Sequence, residues 1–224
     1  MSDRWYGGGV SPWTRGAGRR LLDAVRVLAA ERPIHQISVA ALCHRAGLTR
    51  DTFYRYAARP VDVLARAMDD DLPSAEALLA LIAPPPAANP LEAPGRAVLE
   101  HADRNKAIYQ RALHPHLDSA LREVLIGRLE TLLLGYLQAN PESVPTIGDT
   151  TPSAAETRRL AVFTAAGTVG AIENWLAQER PEPVDRMLTL LFSAAAPWWR
   201  RRGGSTASRP HTDDRSSGPR VAEG

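Results

Sequence analysis

The side chains best suited to bind a partner are crowded into residues 49–56, with the sequence TRDTFYRY. Arg50 could bridge guanine O6 and N7 with two hydrogen bonds, and Thr52 could contact a thymine methyl group or a phosphate. Three more side chains could donate hydrogen bonds to phosphates: Tyr54, Arg55 and Tyr56. Asp51 would repel phosphates, so it either accepts from cytosine N4 or caps the helix, and we favour capping. Phe53 is the apolar residue of the segment and is expected to point inward.

The residues around this segment predict two short helices joined by a tight turn. Ser38 is a suitable N-cap for a helix over residues 39–46, whose apolar positions fall on one face. Gly47 follows, where a left-handed residue reverses the chain at little cost. Thr49 then caps a second helix over about 50–56. Two helices joined by a short turn with a glycine are the pattern of a helix-turn-helix.

The charge distribution favours a polyanionic partner for this end of the chain. Residues 1–66 contain eleven arginines and five acidic residues, an excess of +6, whereas the whole chain of 224 residues nets +2. A nucleic acid would explain this asymmetry, and so would simple solvation of a helical surface. The helix pair has the same ordinary alternative, a helical hairpin whose polar face contacts only water.

Helical periodicity dominates the rest of the chain, and the sequence shows no strand-like alternation and no internal repeat. We predict an all-α protein of about nine helices. Their predicted positions are about 19–31, 39–46, 50–56, 60–72, 91–103, 105–113, 117–139, 154–180 and 183–199. Pro60 suits the first turn of the fourth helix, and Pro73 is expected to kink or break that helix near residues 71–72. Ser153 and Glu156 form a capping box for the eighth.

Composition restricts the compartment and the class of protein. Cys43 is the only cysteine, no signal peptide is recognised, and the most apolar stretch, residues 160–172, is shorter than the roughly 20 residues of a bilayer span. We therefore expect a cytoplasmic protein. The sequence has no nucleophile elbow or glycine-rich phosphate loop, so we expect neither an enzyme nor a cofactor. His114 and His116 flank a proline without a third ligand nearby, and we interpret them as a loop rather than a metal site.

Residues 19–66 resemble the N-terminal domain of TetR-family transcriptional regulators. The matching positions are Ser38-Val39, Ala46-Gly47-Leu48-Thr49, Thr52-Phe53-Tyr54, Tyr56 and Val63-Leu64. The resemblance implies that residues 50–56 enter the major groove and that the helix from Pro60 couples a ligand-binding domain to them. The chain departs from the family pattern at Ala57, where phenylalanine is usual, and at Arg59-Pro60, where Ser-Lys is usual. Because that lysine commonly contacts phosphate, Arg59 is its candidate replacement.

The candidate DNA-contacting residues are thus Ser38, Thr49, Arg50, Asp51, Thr52, Tyr54, Arg55, Tyr56 and Arg59. Residues 91–199 also resemble the C-terminal domain of one TetR subgroup, through NKAIYQRAL at 105–113 and GAIENWLAQERPEPVDRMLTLL at 170–191. In that subgroup the last two helices pair with their twofold copies. Small residues allow close helix approach, although they could equally pack within the chain or reflect its high alanine content. The predicted dimer interface consists of Ala166, Gly167, Gly170, Ala171, Leu188, Leu191 and Phe192.

The resemblance further implies a pocket for an unknown small organic effector. From the sequence alone, a place in the core or at the rim is favoured for each single candidate. The candidates are His101, Tyr109, His116, Phe163, Thr164, Thr168, Asn174 and Trp175. The expected organisation is a disordered arm at 1–17, a helix-turn-helix domain at 18–58, a helical effector-binding and dimerisation domain at 59–199, and a disordered tail at 200–224.

The expected function is that of a ligand-responsive repressor that binds a palindromic operator in double-stranded DNA as a homodimer, since repression is the default in the family. The alternative is a co-regulator or activator of the same fold that binds another protein and reads DNA weakly. The departures at Asp51, Ala57 and Pro60 leave that alternative open. None of these residues encodes repression or activation.

Overall fold

The structure is a computed structural model, and it describes residues 13, 15–83, 89–147 and 150–194. Within these residues the chain forms ten α-helices and two short 3-10 turns, at Ile34–Gln36 and Pro141–Ser143, and no strand. The helices are α1 (Gly16–Glu31), α2 (Val39–Ala46), α3 (Arg50–Tyr54), α4 (Pro60–Asp71), α5 (Ala75–Ala80), α6 (Glu92–Arg104), α7 (Lys106–Ala112), α8 (Ser119–Ala139), α9 (Ala154–Leu176) and α10 (Val184–Ala194). The all-α prediction is confirmed. In the described part of the chain, no helix has both the length and the apolarity to cross a membrane.

Nine of these helices are predicted from the amino-acid sequence, and α5 is the addition. Leu72 is extended, with ψ 134°, as a residue before proline prefers to be, so α4 ends there. Ser74 then accepts a hydrogen bond from the backbone N–H of Ala77 at 3.1 Å and caps α5. Pro73 therefore marks a boundary between two helices rather than a kink within one.

The chain is ordered earlier than predicted. α1 begins at Gly16, inside the segment predicted as a disordered arm. Trp13 is buried and meets the ring of Tyr56 edge-on, with 5.1 Å between the centroids. Burial of a large indole against a second aromatic ring fixes the chain just before α1. The rest of the predicted arm, residues 195–199 of the last predicted helix and the predicted tail lie outside the described residues.

Helices α1, α2 and α3 form the N-terminal unit, called the head below, and α4 leads from it into the rest of the chain. The apolar stripe of α1 is buried against α2 and α4, and its members are Leu21, Leu22, Val25, Leu28 and Ala29. The guanidinium of Arg26 donates to the carbonyl of Ala67 at 2.8 Å, which adds a polar link between α1 and α4. The head is thus held to the connecting helix by packing and by a side-chain hydrogen bond.

Helices α5 to α10 form the body, and α8 and α9 pack against each other at its centre. The leucines of α8 recur at helical spacing and are buried, at positions 121, 125, 129, 132 and 133. Glu173 of α9, 8% exposed, accepts from Arg122 Nε at 3.2 Å and from the N–H of Leu117 at 3.3 Å. These two hydrogen bonds give the buried carboxylate of Glu173 the partners that a buried charge needs. α10 approaches α6 at Gly95, where a Cβ atom would lie only 3.4 Å from Leu188 Cδ1.

Candidate nucleic-acid interface

Local hydrogen bonds fix the angle at which α3 leaves α2. Gly47 adopts the left-handed conformation, with φ 63° and ψ 43°, and the N–H of Leu48 returns to Cys43 O at 2.9 Å. The thiol of Cys43, buried beneath this turn, donates to Thr49 O at 3.6 Å. Thr49 Oγ1 accepts from the N–H of Thr52 at 3.2 Å and caps α3. The predicted helix-turn-helix is therefore present, with the predicted cap and turn residues.

The short helix α3 has one buried side and one exposed side. Phe53 is 0% exposed and anchors the helix to the core of the head. Tyr54, its neighbour, is 60% exposed, and Arg50, Asp51 and Arg55 are exposed as well. α3 thus presents two arginines and a tyrosine outward on a fixed support, which is the arrangement that a recognition helix needs.

Two polar side chains outside α3, those of Ser38 and Arg20, flank this surface. Ser38 is exposed, and its hydroxyl accepts from the N–H of Ala41 at 3.1 Å, so it serves as the N-cap of α2. Arg20 of α1 reaches over the turn, since a Cβ atom on Gly47 would lie 3.8 Å from its Nη1. The hydroxyls of Thr49 and Thr52 lie 3.0 Å apart and share a hydrogen bond. The hydroxyls of Thr49 and Thr52 thus bond to each other, and the hydroxyl of Thr49 also accepts the cap hydrogen bond of α3.

Three of the predicted contacts differ from the expected arrangement. The cap hydrogen bond of α3 comes from Thr49, and Asp51 stays exposed in the first turn. There its negative charge interacts favourably with the positive end of the helix dipole. Tyr56 is half-buried because its ring covers Trp13. Arg59 is exposed but bonded to Asp62, with Nη2 2.8 Å from Oδ1, and it would have to leave that carboxylate to reach a phosphate.

A buried polar cluster ties the end of α4 to the body. His101 Nδ1 lies 3.0 Å from Asp71 Oδ2, and His101 Nε2 lies 2.8 Å from the hydroxyl of Tyr109. Asn105 Nδ2 donates to the same Asp71 oxygen at 2.8 Å. His101 and Tyr109 are both 0% exposed. The cluster therefore joins α4, α6 and α7 through the fully buried His101 and Tyr109 and the partly exposed carboxylate of Asp71.

The protonation state of this cluster follows from its surroundings. Burial lowers the pKa of His101, and the nearby Asp71 carboxylate opposes this shift without cancelling it. Partial burial acts to raise the pKa of Asp71, but hydrogen bonds from Asn105 and His101 hold it below its ordinary value. Burial also raises the pKa of Tyr109 far above its ordinary value, so the phenol stays neutral. Neutral His101 thus donates from Nδ1 to Asp71 and accepts at Nε2 from Tyr109.

A second contact, made by a residue of α8, holds the C-terminal end of α4. Arg128 is nearly buried, and its Nη2 lies 2.6 Å from Asp69 Oδ1 while its Nη1 donates to Pro73 O at 2.7 Å. Charge-assisted hydrogen bonds of this kind are stronger than neutral ones. The C-terminal end of α4 is thus fixed to α6 by Asp71 and to α8 by Asp69. Neither contact is signalled by the sequence, because the partners lie far apart in the chain.

The predicted effector residues do not share one cavity. His101 and Tyr109 bond to each other, and Trp175 is buried with its Nε1 donating to Glu182 O at 2.9 Å. His116 and Asn174 are exposed, and Phe163 of α9 is 79% exposed. Thr164 is half-buried on α9, and Thr168 alone among the eight lines the apolar cavity of the body.

That cavity lies between α6, α8, α9 and α10 and has a volume of about 40 Å³. Its described lining is apolar apart from Thr168 and consists of Leu91, Gly95, Val98, Leu99, Leu129, Leu132, Leu133, Ile172, Leu188, Leu191 and Phe192. A groove of about 500 Å³ opens beside it between α6 and α10 and shares Leu188 and Phe192 with it. Ligand pockets usually measure about 300–1,000 Å³, so the cavity as it stands is too small for an organic effector.

The predicted dimer residues divide between the two sides of α9 and α10. Gly167 is exposed, and Ala166, Gly170 and Ala171 are half-buried on α9. A Cβ atom on Gly167 or Gly170 would meet nothing within 4 Å. Leu188 and Phe192, by contrast, are buried within the chain against α6, and Leu191 lines the cavity. The large apolar side chain that α10 does expose is Leu190, at 47%.

Comparison with known proteins agrees with this arrangement. Residues 96–196 match the TetR C-terminal family model described as "Transcriptional regulator C-terminal region". A TetR-family transcriptional regulator from Streptomyces coelicolor has 13% sequence identity and a TM-score of 0.50, over 78% of this chain and 77% of that chain. The TetR-family repressor AlkX from Dietzia sp. strain DQ12-45-1b has 18% identity and a TM-score of 0.50, over 84% and 95%. The chain therefore has the fold of these TetR-family regulators, and its residues 96–196 match a C-terminal region of such regulators.

A further structural neighbour is the dihydroxyacetone kinase operon activator DhaS, with 18% identity, a TM-score of 0.51, and coverage of 79% of this chain and 94% of that chain. No curated protein sequence matches the chain. The family-model match begins at residue 96 and thus lies in the body. For the head, the support comes from the geometry of α2 and α3 described above.

Proposed function

We propose that this chain is a TetR-family transcriptional regulator that reads double-stranded DNA with α3. The observation that carries the proposal is the orientation of α3, in which Phe53 is fully buried while Arg50, Tyr54 and Arg55 face outward. Arg50 opens the helix, where recognition helices contact base edges, and Tyr54 and Arg55 follow, where phosphates are contacted. Ser38 and Thr49 cap the two helix starts beside this surface, and the hydroxyl of Thr52 bonds to that of Thr49.

Selection of bound sequences from a random pool of duplex DNA tests this proposal. A regulator with two heads related by a twofold axis would recover a palindrome, with half-sites about 34–36 Å apart from centre to centre, or a multiple of that spacing. Recovery of unrelated sequences that bind only at low salt would contradict it, because binding of that kind comes from phosphate contacts alone.

The twofold axis is proposed to pass beside the exposed face of α9. Phe163 is 79% exposed and Val162 is 39% exposed, and both lie on the same helix as the open surface around Gly167 and Gly170. Such a face, apolar and lined with small residues, allows a second helix to approach closely. Leu190 of α10 is a further exposed apolar side chain, which we propose as part of the same interface. Leu188, Leu191 and Phe192 serve the interior of the chain, so we reassign the seal of the interface to Phe163 and Leu190.

The proposed effector is a small, mostly apolar organic molecule that enlarges the cavity next to Thr168. The groove between α6 and α10 provides access, since Leu188 and Phe192 line both spaces. A molecule larger than about 40 Å³ binds only if α6 moves relative to α8 and α10. Because α6 carries His101, which bonds to Asp71 of α4, that movement would alter the position of α4 and hence of the head. An effector acts in this way only if its affinity differs between the two arrangements.

The direction of regulation is proposed to be repression that is relieved by the effector. Among the structural neighbours, AlkX is named a repressor and DhaS an operon activator, so both directions occur on this fold. The alternative, a co-regulator that binds another protein and reads DNA weakly, is favoured by Asp51, Tyr56 and Arg59. Asp51 carries a negative charge on the reading surface, Tyr56 is committed to Trp13 and Arg59 to Asp62. The random-pool selection distinguishes the two, since a co-regulator would recover no sequence.

A further inference from the structure

Two histidines from distant parts of the chain meet where the head touches the body. His35 lies in the 3-10 turn Ile34–Gln36 that follows α1, and His114 lies in the loop between α7 and α8. Their ring centroids are 5.3 Å apart and the ring planes are inclined by 46°. Both side chains are exposed. The pair is accessible to solvent and brings one imidazole of the head next to one of the body.

Hydrogen bonding leaves these rings able to act as ligands. His114 Nδ1 lies 3.0 Å from the backbone carbonyl of Leu113, and a neutral imidazole that donates there keeps its lone pair on Nε2. A backbone carbonyl that holds one ring nitrogen while the other is free is the usual support of a metal-binding histidine. The ring of His35 contacts the ring of His114, and this is its side-chain interaction among the described residues.

The separation of the rings matches that of two imidazoles on one metal ion. In a tetrahedral zinc site the Zn–N distance is about 2.0–2.1 Å, and the ring centre lies roughly 1.1 Å beyond the nitrogen. Two rings at the tetrahedral angle then have centroids about 5.2 Å apart. The observed 5.3 Å between His35 and His114 differs from this by less than ordinary side-chain motion.

We propose that His35 and His114 bind a divalent transition metal of the zinc class and thereby link the head to the α7–α8 loop. Imidazole suits zinc, copper and nickel and does not suit magnesium or calcium. No group of three His, Cys, Asp or Glu side chains with metal-binding geometry occurs among the described residues. Water therefore completes the coordination, and the ion exchanges readily. The site is separate from α3 and from the cavity of the body, and it does not depend on the proposed DNA-binding function.

The neighbourhood of the loop gives this link a structural consequence. Asp118, the N-cap of α8, lies at the end of the same loop. α7, which precedes the loop, packs against α1 of the head. A metal between His35 and His114 would restrict movement of the head relative to the body.

Titration calorimetry with zinc chloride, on the untagged full-length chain in a buffer that does not bind metals, tests the site. One zinc per chain is expected. His35→Ala and His114→Ala are each expected to abolish the heat of binding. His116→Ala is the matched control, because His116 is an exposed histidine of the same loop, and this variant should bind zinc like the wild type. As all three replaced rings are exposed, the three variants should keep the metal-free helical content and thermal midpoint.

Several results would overturn the assignment. These are the absence of a binding heat for the wild type at millimolar zinc, retention of binding in His35→Ala, loss of binding in His116→Ala, and a stoichiometry of one zinc per two chains. Hydrogen exchange adds a readout of the link itself. Zinc should slow exchange in residues 34–37 and 113–117 of the wild type and of His116→Ala, and should leave it unchanged in His35→Ala. Unchanged exchange in the wild type would show that the two segments are not joined by the ion.

Discussion

The hydroxyl of Tyr109 is predicted to stabilise the chain by completing the polar cluster between α4, α6 and α7. Tyr109→Phe removes one oxygen and keeps the ring, so little packing changes. His101 donates from Nδ1 to Asp71 at 3.0 Å, which makes Nε2 an acceptor, and its donor is the Tyr109 hydroxyl at 2.8 Å. Because His101 is 0% exposed, water cannot replace that donor. A buried acceptor left without a partner costs about 1–3 kcal/mol, and that is the expected loss in the free energy of unfolding.

Tyr136→Phe is the matched control for this prediction. Tyr136 is also 0% exposed, but its hydroxyl bonds at 3.1 Å to Ser143, which is half-buried and can turn its own hydroxyl to solvent. The expected loss is that of an ordinary hydrogen bond, about 0.5–1.5 kcal/mol. Urea unfolding followed by circular dichroism measures both variants, at one fixed protein concentration because association shifts apparent stability.

A double-mutant cycle then separates the bond from its surroundings. His101→Leu removes the acceptor, so adding Tyr109→Phe to it should cost less than Tyr109→Phe costs alone, with a coupling energy of about 0.5–3 kcal/mol. Asp71 keeps the bond from Asn105 at 2.8 Å in all members of the cycle. A Tyr109→Phe loss no larger than that of Tyr136→Phe, together with additive double-mutant energies, would refute the reasoning.

Three further predictions concern pH, the turn and association. Because burial holds the pKa of His101 below its ordinary value, the unfolded chain binds a proton that the folded chain does not. The free energy of unfolding should therefore fall as pH drops below about 6.5, by at most about 1.4 kcal/mol per pH unit. In urea titrations at several pH values, His101→Asn should flatten this slope. Gly47→Ala forces an L-residue to φ 63° and should lower the free energy of unfolding by about 1–2 kcal/mol. The control Gly127→Ala, in an open part of α8, should raise the free energy of unfolding. Equal effects of the two substitutions would argue against a strained turn. Gly167→Leu should weaken a dimer in sedimentation equilibrium while Gly127→Leu should not, and an unchanged mass for Gly167→Leu would remove this face of α9 from the interface.

The head is the part of the molecule that the sequence predicts in most detail, because its signals are local. Ser38, Gly47 and Thr49 act within four residues of their own position, as caps and as a turn, and each acts in the structure as predicted. The apolar spacing of α1 likewise requires nothing beyond the helix itself. The departure at Trp13 arises because its partner, Tyr56, lies at the far end of the head.

The body is less predictable because its contacts join residues far apart in the chain. On α10, apolar residues occupy several sides of the helix, so spacing alone cannot decide that Leu188 turns inward to α6 while Leu190 faces outward. His101 has the same ambiguity, since a lone histidine on an apolar face fits either a pocket or a satisfied core group. The meeting of His35 and His114 depends on how α7 sits beside α1, which no local pattern encodes.

The outward face of α3 is the centre of this account, and the measurement that tests it most directly is the random-pool selection repeated with Arg50→Ala. Arg180→Ala, which replaces an exposed arginine of the body, is the control. The account predicts that Arg50→Ala loses preference at one base pair of each half-site and about 1–3 kcal/mol of affinity, while Arg180→Ala selects the wild-type sequence with wild-type affinity. Selection of an identical sequence with undiminished affinity by Arg50→Ala would contradict it.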